Sequence, residues 1–335
     1  MREVLTRYFK GDGVIWGVVI ILSLFSLLAV YSSTGTLAYQ SQGASIASYV
    51  LKHFSLLVLS IVIILLVHNI PFRYYSKLSQ LLLLIALVLL SLTLLMGTSY
   101  NQAKRWLTLP GIGLTVQTSD FAKLALVMYV ARILSIKQYR IQHSKEVLGY
   151  LFIPTMLVCA MILPANLSTA AILFASVMIL MFIGRVKMKY LLGLMLAGLF
   201  LMAVLIGGIM LSGHHGRIAT WENRIENFID GEAENNYQAE QSKIAIATGG
   251  ILGKGPGNST QRDFLPYAYS DFIYAIIVEE YGFIGGMVVL FLYLFLLYRA
   301  GVIVKKSTRT FGAFLSIGLA LLLVLQAIIN MGVTV

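Results

Sequence analysis

Charge is what this sequence has least of. Only 12% of its 335 residues are Asp, Glu, Lys or Arg, against 59% hydrophobic ones. Soluble chains run near a quarter charged, so a soluble domain of this length is excluded. Cysteine is nearly absent too. Cys159 is alone, which rules out a disulfide framework within the chain; lying inside an apolar run, it reads as a small buried hydrophobe. Strand alternation of the barrel kind is missing. So are internal repeats, low-complexity stretches and any polar segment long enough to fold alone, which leaves a single integral domain over 1–335. No small-residue cleavage site follows the first apolar run of MREVLTRYFKGDGVIWGVV, and that run reads as a retained span, not a signal peptide. No basic patch sits on a soluble domain, so the pI of about 9.6 does not point to nucleic acid.

Apolar runs of about 20 residues fill the space these absences leave, and each can cross a hydrocarbon core of roughly 30 Å. In lipid such runs are helices, because a helix satisfies its own backbone. The expected fold is therefore all-α, a polytopic membrane bundle. Its nine spans fall near 12–33, 52–70, 78–97, 119–136, 147–164, 166–184, 190–211, 271–298 and 310–334. The fourth is the least apolar, opening with Asp120 and carrying Lys123. The last stops at the chain end without a polar flank, as a truncated chain would.

With the N-terminus inside, every short inside loop is basic. Those segments hold 16 of the 25 Lys and Arg but only the acids Glu3, Asp12 and Glu146. The net charge of +11 is thus mostly a topology signal, placing the N-terminus in the cytoplasm. The other 11 acids fall on the outer side or at outer helix ends. Two outer segments stand out there, 98–118 and the long loop 212–270. The loop's apolar residues, Trp221, Ile225, Phe228 and Ile229, then Ile244, Ile246, Ile251 and Leu252, predict helices lying on the membrane surface.

Ionisable groups within or at the rim of a span are costly, and each is a candidate for function. Asp271 opens a span in Tyr-Ala-Tyr-Ser-Asp-Phe-Ile. It can cap that helix, act as a general base at the outer face, or do both. Glu279 and Glu280 lie two turns deeper. Adjacent helix positions diverge by about 100°, so only one is expected to face a given cavity; structurally, they would pair with a buried cation on another helix. Asp120 and Lys123, spaced i and i+3, share a helix face. They form a structural pair or line a polar cavity where Lys123 meets an anionic headgroup. Lys104-Arg105-Trp106 puts two adjacent cations on the outer side, where a lipid headgroup or pyrophosphate is the natural partner and Arg suits bidentate contacts. The run GGILGKGPGNS at 249–259 lacks the order of a P-loop, since Gly255 follows Lys254. It reads as a sharp turn and not as a nucleotide site. His214 and His215 have no ligand-type neighbours at zinc spacing.

This constellation resembles the SEDS family (shape, elongation, division and sporulation), the peptidoglycan glycosyltransferases typified by FtsW and RodA. Leu28 to Ser33 looks like the family's first-span ending, NQAKRWL at 101–107 like its outer Arg-Trp motif, and VQTSDFAKLAL at 116–126 like its Gln-Pro-Ser-Glu segment. Asn166 to Ala170 is similar to its Asp-Leu-Gly-Thr-Ala. The longest match is GKGPGNSTQRDFLPYAYSDFIYAIIVEEYG at 253–282. Thr118, Asp120 and Asn166 depart from the family's usual Pro, Glu and acidic residues, so no ionic role is given to Asn166. The family's tenth span, after a Pro-rich outer segment, has no counterpart. Around 266–272 the similarity leans to the FtsW branch.

The resemblance implies polymerisation of lipid II, an undecaprenyl-pyrophosphate-linked sugar, in division or elongation. Inverting transfer to a sugar hydroxyl needs one base. A pyrophosphate leaving group needs positive charge and no general acid, unlike the paired carboxylates of a glycosidase. Asp271 corresponds to the family's catalytic aspartate. Arg105, Lys123, Arg224 and Lys104 are the candidates for substrate contact, with Asp120, Trp106, Gln117 and Glu280 supporting. The family also implies a divalent cation (Mg or Mn) with ligands left open, no nucleotide or organic cofactor, a class B penicillin-binding protein as partner, other division proteins, and the inner membrane with the active site outside. Two other readings use the same residues: a lipid II flippase, and a non-catalytic division scaffold.

Overall fold

The computed structural model describes residues 11–34, 45–100, 103–108, 115–139, 141, 145–211, 237–265 and 268–335. Each of the nine predicted spans is a helix. In chain order they are α1 (Gly13–Ser33), α2 (Ile46–His68), α3 (Phe72–Met96), α4 (Thr118–Ile136), α5 (Lys145–Ile162), α6 (Leu167–Ile183) and α7 (Met188–Leu211). The shorter α8 (Tyr237–Gly249) follows, then α9 (Ile273–Lys306) and α10 (Thr310–Thr334). Among the described residues α1, α2, α3, α9 and α10 are long and apolar enough to cross a membrane, and 148–162, 167–183 and 188–204 are shorter apolar helices. Helix α4 falls outside both groups because Asp120, Lys123 and Arg132 interrupt its apolar run. The chain is a multi-pass membrane protein.

Local chemistry sets where the helices start. Asp12 caps α1, accepting from the amides of Val14 at 2.9 Å and Ile15 at 3.3 Å. Ser45 caps α2 and Asn166 caps α6. Pro71 stands before α3, where a missing N–H costs nothing. Helices α2 and α3 therefore begin about six residues before their apolar runs, carrying polar first turns that hydropathy alone leaves out. Exposed Leu51, Phe54, Leu59 and Leu66 on α2 and Leu81, Leu84 and Leu95 on α3 are ordinary for helices whose solvent is lipid.

One element was not expected. Residues Thr98–Tyr100, Ala103–Thr108 and Thr115–Gln117 form a three-stranded antiparallel sheet, β1-β2-β3. Strands this short carry too few alternating positions for periodicity to reveal them. Register sets Trp106 opposite Gln117 and Leu107 opposite Val116, so the described parts of 98–117 form one small sheet.

Contacts divide the chain into two compact units: 1–70, 230–299 and 326–335 in one, 71–229 and 300–325 in the other. In the first, α1 packs against α9 around Ala29, Ile277 and Val289. In the second, α4 is the most enclosed helix, with Ala122, Leu126, Val130 and Leu134 all buried. Gly318 of α10 lets Val127 and Leu180 approach so closely that a methyl there would sit 2.8 Å from Val127.

Candidate functional site

In the first unit the site is built around a break in α9. Gly282 adopts φ 70° and ψ −175°, a conformation essentially restricted to glycine, and it interrupts the helical hydrogen bonding. At membrane depth the freed backbone groups must find partners within the protein. The glycine-rich run after α8 supplies them. The amides of Phe283 and Ile284 donate to the carbonyls of Gly250 (2.9 Å) and Ile251 (3.3 Å), and the amides of Lys254 and Gly255 donate to the carbonyls of Glu279 (3.0 Å) and Glu280 (2.9 Å). The backbones lie so close that a Cβ on Gly253 would meet the Glu280 carbonyl at 2.2 Å. The sharp turn read from the sequence is therefore a docking strip for a broken helix.

The paired carboxylates lock the strip. Glu279 is fully buried and accepts from Lys254 Nζ at 2.5 Å, Ser259 Oγ at 2.5 Å, Thr260 Oγ1 at 2.9 Å and N at 3.1 Å, and Gln261 N at 3.3 Å. Glu280 accepts from Ser259 N at 3.3 Å and, through a short bond, from Ser32 Oγ at the end of α1. Arg262 Nη1 completes the knot by donating to the carbonyls of Gly257 at 2.9 Å and Ser32 at 3.3 Å. Two expectations are corrected here. The cation that pairs with Glu279 comes from the loop and not from another helix, because the loop follows the break and brings Lys254 with it. Both carboxylates, not one, reach the same neighbourhood, because Ser259 offers its hydroxyl to one and its amide to the other. Ser32 was missed. Its signal was a Ser-Ser pair closing an otherwise apolar span.

Asp271 lies in the turn 268–272 ahead of α9, and it is exposed. The helix starts at Ile273, and its first bond runs from the Ile276 amide to the Phe272 carbonyl at 3.3 Å. Phe272 thus holds the cap position, and among the described residues no amide of the first turn donates to Asp271. The turn is pinned from beneath by the buried cluster Leu265, Ala268, Phe272 and Ile276. The result is an exposed carboxylate on an anchored turn.

The second unit holds the cationic candidates. Arg105 on β2 donates from Nε to the Ala165 carbonyl at 2.9 Å. A small pocket of about 20 Å³ is lined by Arg105, Gln117, Thr118, Ser119 and Asn166, room for about one water. Gln117 Nε2 donates to Ser119 Oγ at 3.0 Å, and Trp106 is half-buried beside it across the sheet. The expected i, i+3 pair forms, with Lys123 Nζ at 2.8 Å from Asp120 Oδ1. Lys123 is buried while Asp120 is exposed. Asn166 has no ionic role; its Oδ1 accepts from the Thr169 amide at 3.1 Å, the ordinary work of a cap. Arg224, His214, His215 and the 221–229 stretch lie outside the described residues, as does the side chain of Lys104. Among the described residues no three His, Cys, Asp or Glu side chains gather as metal ligands.

Comparison with known proteins matches this chain to one family. The FtsW/RodA/SpoVE family model, whose description is "Cell cycle protein", matches residues 12–335. A probable peptidoglycan glycosyltransferase FtsW from Trichlorobacter lovleyi is 31% identical over 344 residues, spanning 99% of this chain and 87% of that protein. Its counterpart from Halomonas elongata is 33% identical, spanning 100% and 84%. In fold, the chain matches a chain of a peptidoglycan synthase complex with a TM-score of 0.69 at 21% identity, covering 98% of this chain and 88% of that one. It matches the rod shape determining protein RodA of Thermus thermophilus at 0.64 and 21% identity, covering 98% and 86%. By sequence over nearly its whole length, and by fold, the chain belongs to the FtsW/RodA/SpoVE family.

Proposed function

We propose that this peptidoglycan glycosyltransferase extends glycan strands from lipid II at the outer face of the cytoplasmic membrane, with Asp271 as general base. The observation that carries the assignment is Asp271 itself: an exposed carboxylate, not spent on capping α9, held on a turn anchored by Leu265, Ala268, Phe272 and Ile276. In the reaction the acceptor sugar hydroxyl gives its proton to the Asp271 carboxylate as its oxygen attacks the anomeric carbon of the donor. The glycosyl–phosphate bond breaks, and undecaprenyl pyrophosphate leaves with the bonding electrons. A pyrophosphate departs without protonation when positive charge receives it. Arg105 is assigned to that charge for its forked donors, and Lys123 as the buried ammonium of the neighbouring helix face. A divalent cation (Mg or Mn), held by one or two carboxylates and the substrate's own phosphates, would add to that positive charge. A class B penicillin-binding protein is the proposed partner, crosslinking the strand as it emerges.

Asp271→Ala abolishes strand synthesis from purified lipid II, by about 10² or more for loss of a general base, while the protein stays folded. Substantial polymerisation by that variant, with the partner present, would remove Asp271 from the chemistry and favour a flippase or scaffold. Arg105→Ala is expected to weaken lipid II use more than turnover of bound substrate. If binding and turnover were both unchanged, its phosphate role would be wrong.

A further inference from the structure

The second unit contains a cavity lined by none of the candidate site residues. Between α5 and α7 lies an open cavity of about 440 Å³, within the size range of small-ligand sites, about 300–1,000 Å³. Phe152, Met156 and Ala160 of α5 face Gly193, Ala197 and Leu201 of α7 across it, and its lining is apolar throughout. The spacing on each helix follows one face. Small residues on paired membrane helices ordinarily let the backbones close up, but here they leave a gap: a methyl on Gly193 would find nothing within 4 Å. Water gains nothing in such a space, since it requires two or more polar partners. Apolar walls at membrane depth are filled by hydrocarbon.

Charge says which hydrocarbon. The turn from α6 into α7 carries Arg185, Lys187 and Lys189, all exposed. None of the three enters an ion pair among the described residues, and the sequence holds no Asp or Glu between Glu146 and Glu222. At 1.5 Å per residue, Lys189 stands about 6 Å along the axis from Gly193, so the cations stand just beyond the groove at the α7 start. This is the end that the distribution of Lys and Arg assigns to the cytoplasm, where the leaflet is anionic.

We propose that the α5–α7 groove is a binding site for an anionic phospholipid, its acyl chain lying against Gly193 and Ala197 and its phosphate held by Arg185, Lys187 and Lys189. The full chain, reconstituted in an equal mixture of phosphatidylglycerol and phosphatidylcholine and then extracted, tests this by native mass spectrometry. Wild type is expected to retain phosphatidylglycerol in preference. The double variant Lys187→Gln/Lys189→Gln should lose that preference by about fivefold for each cation. Gly193→Leu, or Ala197→Phe if the first does not fold, should lose bound lipid of both kinds. Equal retention by the groove-filling variant would overturn the proposal. So would equal retention of the two lipids by wild type, or photocrosslinking from position 197 that captures a protein in place of a lipid. Asp271 and Arg105 play no part in this readout, so it stands or falls apart from the catalytic reading.

Discussion

Two carboxylate–cation pairs in this molecule are built in opposite senses. In Glu279–Lys254 the acid is fully buried and the cation partly open, with side-chain exposures of 0% and 28% at 2.5 Å. In Asp120–Lys123 the cation is buried and the acid open, at 9% and 58% and 2.8 Å. The first acid is surrounded by loop hydroxyls and amides and joins the loop, α9 and, through neighbouring Glu280, α1. It belongs to the scaffold. The second pair lies within one helix and leaves its carboxylate in the open. Which member is buried therefore tells whether a pair ties several elements together or stays within one helix.

The largest effect should come from the buried acid. Glu279→Ala strands Ser259, Thr260 and Gln261 donors together with Lys254, and each buried donor left unmet costs about 1–3 kcal/mol. Thermal unfolding in detergent should show it as a drop in Tm larger than that of Lys254→Met, which leaves Glu279 its other donors. If the two losses were equal, the ion pair alone would account for the lock and the hydroxyls would be bystanders.

Gly282→Ala comes next. The backbone conformation alone costs about 1–3 kcal/mol for a side-chain-bearing residue, and the added methyl would meet the Ile251 carbonyl at 2.2 Å. Proteolysis between Gly249 and Thr260 should become faster as the strip lifts; unchanged cleavage would mean the break is held by something else.

Asp120→Asn should cost more than Lys123→Met, by about 1–3 kcal/mol, because it removes the charge 2.8 Å from a buried ammonium, whereas the reverse change leaves an exposed carboxylate. An inverted order, measured by Tm, would mean that Asp120 and not Lys123 is the member held by the fold.

The smallest effect concerns Asp12, outside the spans. Burial pushes its carboxyl up, but the hydrogen bond from Arg299 at 2.7 Å and the amides of Val14 and Ile15 bring it below the ordinary value of 3.8. A lowered folded-state value stabilises the protein above the unfolded value, and that stability is lost as pH falls from about 4 through the folded value. Comparison of wild type with Asp12→Asn between about pH 3 and 7 should show a difference of about 1 kcal/mol or less near neutrality, vanishing at the acid end. A difference growing toward low pH would reverse the sign.

The helices were legible because lipid removes ambiguity: an apolar run long enough to cross has one conformation available to it. The pair Asp120–Lys123 followed from spacing along a single helix. The lock around Glu279 did not, because the register of a glycine-rich strip against a distant helix break leaves no periodic trace. Its partners at Lys254 and Ser259 are ordinary loop residues until the break is seen. The sheet at 98–117 escaped for want of length. Asp271 was legible as a candidate, yet its release from capping was not, since a shift of one residue in the helix start decides it.

The break at Gly282 has a mechanical consequence. A continuous helix is a rod that carries torque from one end to the other, whereas α9 is two rods in series whose joint is clamped by the strip at 250–260. Twisting of the long segment after Gly282 is damped at the joint, and the short segment behind Asp271 follows the motion of the strip at 250–260. A force applied to that strip has a lever arm of about two and a half helical turns on the carboxylate, while one applied to the far end of α9 has almost none.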